Sequence, residues 1–130
     1  MKVSIIPSRT GFSKLPKESS INRFVRQFLL ENLGKIQHGQ ITVADGGRWY
    51  TFGRITEAFP LKTTIRVHHP RFYARIVLGG SIGAAEAYMD GFWSADDLTN
   101  VVRILIRNRS VFEEMRSEEH TSELQSLLII

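Results

Sequence analysis

Glu86 and Asp90 stand four residues apart in "SIGAAEAYMDG", a spacing that puts two carboxylates on one face of a helix. A general acid and base can be built that way, because like charges so close repel and burial would raise the pKa of one of them. No nearby His, Ser or Lys completes a catalytic set, and carboxylates at a helix exit ordinarily bond local backbone groups. The pair is read as structural. His68 and His69 adjoin at a strand end, so their rings leave opposite faces and cannot share a metal; His38 and His120 are distant. The glycines at 79, 80 and 83 suggest a phosphate cradle, but Leu78 occupies the first position of a G-x-G-x-x-G pattern and the element before it reads as a helix. No Lys-Ser/Thr follows Gly83, so a P-loop fails as well. These glycines read instead as a helix stop (Gly79, Gly80), a close helix contact (Gly83) and, with Gly91, a tight turn. No catalytic, metal-ligating or cofactor-binding residue is assigned.

Composition bounds the scaffold that can hold these residues. The chain has 130 residues, 42% hydrophobic and 23% charged, which suits one soluble domain. It has no cysteine, so disulfides and thiolate metal sites are excluded. The N-terminus has only a broken apolar run and makes a poor signal peptide, so a cytoplasmic protein is expected. The net charge is +4, and residues 1–35 carry seven basic side chains against two acidic ones. Lys14, Lys17, Arg23 and Arg26 in this segment are candidates for approach to an anionic membrane surface. A solvated basic face that only aids solubility is the plainer alternative.

The elements follow from periodicity. Residues 1–17, with Pro7 and Pro16, read as a mobile basic arm. From Ser20, Ile21, Phe24, Val25, Phe28, Leu29 and Leu33 recur at helical spacing, with Gly34 placed for a left-handed stop. "GQITVA" and "RWYTFG" flank "DGG" as a hairpin, and "LKTTIRVHH" alternates as a third strand. The connections are too short for crossover helices, which predicts an antiparallel sheet. "PRFYARIVL" and "SIGAAEAYM" read as two helices broken at Gly79–Gly80, the second capped by Ser81. "SADDLTNVVRILIRN" opens with Ser94 and Asp97 as a capping box and carries Leu98, Val101, Val102, Leu105 and Ile106 as its stripe. The fold class is α+β: a small antiparallel sheet of about three or more strands covered by helices. Trp49, Tyr50, Phe52, Phe72, Tyr73, Phe92 and Trp93 fill its core or line a pocket, and "RWYTFGR" is a faint RNA-binding pattern without an RRM-like motif.

Arg116–Ser126, "RSEEHTSELQS", resembles the conceptual translation of a sequencing-library adapter, so residues 116–130 are set aside as a non-native tail. The remainder has 16 basic and 10 acidic residues, and the expectation is that it is a fragment of a longer protein.

The segment around Gly80 resembles a pattern of the N-terminal domain of cyclopropane-fatty-acyl-phospholipid synthases, S-adenosylmethionine-dependent enzymes. That pattern, G-S-[LI]-G-x-x-E-[SA]-Y-M-D-G-x-W, is met by Gly80, Ser81, Ile82, Gly83, Glu86, Ala87, Tyr88, Met89, Asp90, Gly91 and Trp93. "FGR" at 52–54, "IRVHHPRFYARIVLGG" and "SADDLTNVVRILIRN" agree, so the resemblance covers about residues 35–109. The layout is also similar to sterol-carrier-type lipid-binding domains. The resemblance implies that residues 18–115 are a non-catalytic N-terminal domain, with Gly80, Gly83, Glu86, Tyr88, Met89, Asp90, Gly91 and Trp93 at a lipid-facing or interdomain surface. It implies a separate catalytic domain, which would bind S-adenosylmethionine and modify unsaturated phospholipid acyl chains. The family's A-H-Y-D-L-G-N-type stretch does not occur here, so no catalytic residue carries over. Expected partners are a phospholipid acyl chain or anionic membrane surface, met peripherally at the inner face of the membrane, and the catalytic domain; nucleic acid is not. The rival readings are a stand-alone lipid-binding module and a basic nucleic-acid-binding domain.

Overall fold

A computed structural model describes residues 20–117; residues 1–19, which include the basic arm at 1–17, and residues 118–130 lie outside the described residues. Eight elements follow in order: α1 (Ser20–Leu33), β1 (Gly39–Asp45), β2 (Arg48–Arg54), β3 (Lys62–Val67), α2 (Phe72–Met89), β4 (Trp93–Ala95), α3 (Leu98–Arg107) and α4 (Arg109–Ser117). The fold is α+β, a four-stranded sheet in the order β2-β1-β3-β4 with helices packed on one face.

The hairpin forms where expected, with Ile41 opposite Phe52 and Val43 opposite Tyr50. Period-two alternation puts these residues on one face together with Thr63 and Ile65 of β3. Trp49, Thr51, Lys62 and Arg66 take the opposite face and are exposed there. On that face Arg66 reaches over small Ala44 to place its guanidinium 5.9 Å from the Trp49 ring, and it pairs with Asp96 at 3.3 Å.

The sheet is mixed rather than antiparallel, because β1 and β3 run parallel. The expectation failed on connectivity. β2 reverses the chain once and residues 55–61 then pass the end of β1, so β3 docks on its far side in the parallel sense without any crossover helix. Seven residues easily span the width of one intervening strand.

α1 buries Val25, Phe28, Leu29 and Leu33 against the core, while Phe24, placed in the same stripe by spacing, is exposed. Gly34 closes α1 through a bond from its N–H to the Leu30 carbonyl (3.1 Å), without the left-handed φ expected. Capping of α3 also differs. Asp97 is the cap, its carboxylate accepting from the Asn100 N–H at 3.0 Å. Ser94 lies in β4, where its hydroxyl bonds His68 Nε2 at 2.8 Å. α3 buries Val101 and Ile104, leaving Leu98, Val102 and Ile106 outside.

α3 and α4 meet at Asn108, which is buried. Its Oδ1 accepts from the backbone N–H groups of Gln37 (3.1 Å) and His38 (3.2 Å). Its Nδ2 donates to the carbonyls of His38 (2.8 Å) and Ile104 (2.8 Å). One amide thus ties the segment entering β1 to the helix pair 70 residues later. Asn108→Ala strands three backbone groups and is expected to cost about 2 kcal/mol of stability, read as a lower urea midpoint. A change under about 0.5 kcal/mol would show that water replaces the amide freely.

Candidate functional site: an apolar cavity between sheet and helices

The helices do not close completely on the sheet. Between them lies a cavity of ≈ 400 Å³, within the range of small-ligand sites. Ile41, Val43, Ile65 and Trp93 form its floor, Leu29 and Leu33 of α1 one wall, and Phe72, Ile76 and Ala84 of α2 another. Leu105, Ile106, Phe112 and Met115 come from α3 and α4, and the polar groups are confined to Ser81, Arg109 and Glu113. A lining so largely apolar suits hydrocarbon, with its few polar groups supplied by Ser81, Arg109 and Glu113.

α2 shapes this cavity through its glycines. Gly80 has φ 61° and ψ −141°, a conformation closed to other residues at little cost, and the helix breaks there. The two predicted helices are therefore the two halves of α2. In a straight helix residues eight apart lie about 12 Å from each other. Here a Cβ on Gly83 would collide with the Arg75 carbonyl, so the second half folds back against the first. Arg75 then reaches Asp90 at 3.1 Å and lies 4.7 Å over the Phe92 ring. The close helix contact assigned to Gly83 is present, but inside one bent element rather than between separate ones.

The remaining residues of the pattern divide. Trp93 is buried, its Nε1 donating to the Ala84 carbonyl at 2.9 Å, with Phe72 and Tyr88 packed edge-on at 6.2 and 5.1 Å. Tyr88 is partly exposed beside it, Glu86 and Met89 project outward, and Gly91 occupies the turn before β4. Asp90, held by Arg75, is an ion-pair partner on the surface, so Glu86 and Asp90 form no acid/base pair. His68 and His69 separate as expected: His69 stacks on Phe92 at 4.1 Å. Among the described residues no group of three His, Cys, Asp or Glu could hold a metal ion. Lys14 and Lys17 lie outside the described residues. Arg23 is exposed on α1, and Arg26 is half-buried near Tyr73.

Tyr73 is the perturbed group of this region. It is fully buried and donates from its hydroxyl to Asp45 Oδ2 at 2.6 Å. Burial first, then the bond to Asp45 and its charge, push the phenol far above the ordinary tyrosine range, against the opposing charge of Arg26. Asp45 sits beside the glycines of the hairpin turn, and its carboxylate is engaged by Tyr73.

The Tyr73 shift has a measurable consequence. In the unfolded chain the phenol ionises near pH 10, whereas the folded protein keeps its proton. The native state then binds more protons than the unfolded one, and stability falls as pH rises past about 10, by about 1.4 kcal/mol per pH unit from this residue. Tyr73→Phe is expected to flatten that part of the alkaline slope in urea unfolding between about pH 9 and 11. Parallel slopes for the two proteins would refute the assignment.

Sequence reasoning offered a pocket as one reading of Phe72 and Trp93, which line the cavity, and missed the α4 residues that line it too. The only available signal was the apolar pattern of "VFEEM", Val111 to Met115, which continues past Asn108 and whose Met115 is buried.

No family model matches the chain, and no solved structure matches it either. A segment of 34 residues is 50% identical to cyclopropane-fatty-acyl-phospholipid synthase of Escherichia coli strain K12, and equally to that of E. coli O6:H1 strain CFT073. The segment is 26% of this chain and 9% of each of those proteins. The chain is thus similar to those enzymes over a short stretch, and spans about a tenth of their length in that match.

Proposed function

We propose that the described residues form a non-catalytic, lipid-receiving module of an S-adenosylmethionine-dependent methyltransferase of the cyclopropane-fatty-acyl-phospholipid synthase type. The observation that carries this reading is the ≈ 400 Å³ hydrocarbon-lined cavity behind the kinked α2. It is supported by the matched segment. In this reading the cavity shelters an unsaturated acyl chain beside a catalytic domain outside the described residues. That domain binds the cofactor, whose methyl group supplies the added carbon.

The module acts at the inner face of the membrane from the cytoplasm. Lys14, Lys17, Arg23 and Arg26 add electrostatic attraction to anionic lipid. Among the described residues no helix is long and apolar enough to cross a membrane. Gly80, Gly83 and Trp93 shape the cavity wall; Glu86, Tyr88, Met89 and Asp90 face the catalytic domain.

One observation favours a second reading: exposed Trp49 lies among basic side chains on the open sheet face, as a base-stacking platform would. Lysophosphatidylglycerol with a monounsaturated chain, titrated below its micelle concentration, separates the two. One lipid taken up per chain, without RNA binding, is expected. RNA binding without lipid uptake would sink the proposal, and calorimetric binding of S-adenosylmethionine by this chain would show the cofactor site misplaced.

A further inference from the structure

α3 has a second apolar face. Leu98, Val102 and Ile106 follow one another at four-residue spacing and are 38, 46 and 61% exposed. They lie beside the buried Val101 and Ile104 on the same helix, so the apolar arc is wider than the core requires. Exposed large apolar side chains in a row mark an interaction surface more often than chance.

Two further observations say what covers it. The first is charge. Arg103 and Arg109 accompany the stripe, and from Leu98 to Phe112 the chain has no acidic residue, Asp96 and Asp97 lying before it and Glu113 after it. On helical geometry Arg103 falls on the flank next to Ile106. Arg107 instead turns toward the Ile104 side, extending over the Phe59 ring at 5.9 Å, so Arg103 is the α3 arginine beside the stripe. The second is continuity with the cavity. Ile106 belongs both to the exposed stripe and to the cavity lining, and exposed Arg109 lines the same cavity. An apolar stripe with arginines on its flank is the form of a helix lying in a lipid–water interface.

We propose that the α3 face, and not the basic N-terminal segment, is the surface that seats this protein on an anionic bilayer, with Leu98, Val102 and Ile106 in the acyl region and Arg103 and Arg109 against lipid phosphates. The cavity opening then faces the bilayer, and a chain passes from membrane to cavity along Ile106 without crossing water. This deepens the lipid-receiving reading and rests on it. The basic arm contributes long-range attraction, which salt screens; the α3 stripe contributes the contact that salt does not remove.

The test uses the full chain with vesicles of phosphatidylglycerol, of phosphatidylcholine, and of their mixture, read by flotation at low and high salt. Val102→Asp and Arg103→Glu, neither of which lines the cavity, are each expected to weaken binding to phosphatidylglycerol vesicles by about tenfold or more. Both keep the wild-type circular dichroism and the uptake of monomeric lysophosphatidylglycerol. Lys14→Glu with Lys17→Glu lowers binding at low salt only. Undiminished vesicle binding by Val102→Asp and Arg103→Glu overturns the proposal. So does a shift from dimer to monomer in sedimentation with vesicle binding unchanged, which would assign the stripe to a second copy of the chain. If wild type docks on vesicles through α3 yet takes up no monomeric lipid, the cavity reading fails and the docking surface stands.

Discussion

Trp93→Ala is expected to lower the unfolding free energy by about 3–5 kcal/mol, a large share of what a domain of this size possesses. Trp93 closes one side of the cavity floor and is the hub of an aromatic group with Phe72 and Tyr88. Its removal loses that packing, leaves the Ala84 carbonyl without its indole partner, and enlarges a void that is already present. The void makes the cost larger, because the cavity side offers no packed neighbour to fill the space left by the indole. Trp93→Phe keeps most of the area but not the hydrogen bond and should cost about 1–2 kcal/mol. Urea midpoints of the two variants measure both effects, and a loss below about 1 kcal/mol for the alanine would mean that the indole is not part of the core.

Gly83→Ala is expected to cost about 3 kcal/mol or more, although alanine favours helices and the added group is one methyl. The obstacle is the Arg75 carbonyl, a backbone atom that cannot rotate away. The second half of α2 must lift off the first, which strains the Arg75–Asp90 pair and opens the cavity wall at Ala84. Gly79 supplies the control four residues away: nothing lies within 4 Å of a Cβ there and its φ is ordinary. Gly79→Ala should be neutral or stabilising by up to about 1 kcal/mol. Thermal unfolding of the pair distinguishes a packing role from simple helix propensity; equal melting temperatures would remove the folded-back geometry from the account.

Much of the fold was legible because it rests on local period and turn chemistry. The hairpin at Asp45–Gly47, the alternation of β3 and the break at Gly80 each carry their cause in a few adjacent residues. What escaped depends on distant partners. β4 is three residues long and has no period to detect; it exists because Trp93 and Ala95 meet Val67 and Ile65 of β3. The parallel β1–β3 pair is fixed by which side of β1 the chain passes, and nothing within either strand encodes that. Helical spacing finds the apolar arc of α3 but not which part of it the sheet covers, so it puts Leu98, Val102 and Ile106 inside and passes over Ile104. Asn108 ends α3, its side chain fastens the segment before β1, and α4 starts again at the next residue, none of which its sequence neighbourhood announces.

The site was legible in a narrower sense. Gly80, Gly83 and Trp93 carry geometry that other residues could not supply, whereas Glu86, Met89 and Asp90 of the same pattern lie on the surface with no visible chemistry. Beyond the pocket reading of Phe72 and Trp93, the cavity left no trace in the sequence. Leu29, Ile41, Val43 and Ile65 look like core residues, and only their separation in space shows that the core is not full.

The central claim is that this space receives an acyl chain, and filling it tests that claim most directly. Ala84 lines the cavity, and Ala84→Phe projects a ring into it while leaving the backbone carbonyl that holds Trp93. Uptake of monounsaturated lysophosphatidylglycerol is monitored through Trp93 fluorescence in a Trp49→Phe background. The chain with Ala84 is compared with the Ala84→Phe variant after both are shown to unfold cooperatively. The chain with the open cavity is expected to bind one lipid, and the filled variant to bind at least about tenfold more weakly. Equal affinity in the two would place the lipid elsewhere, or nowhere, on this protein and would contradict the account.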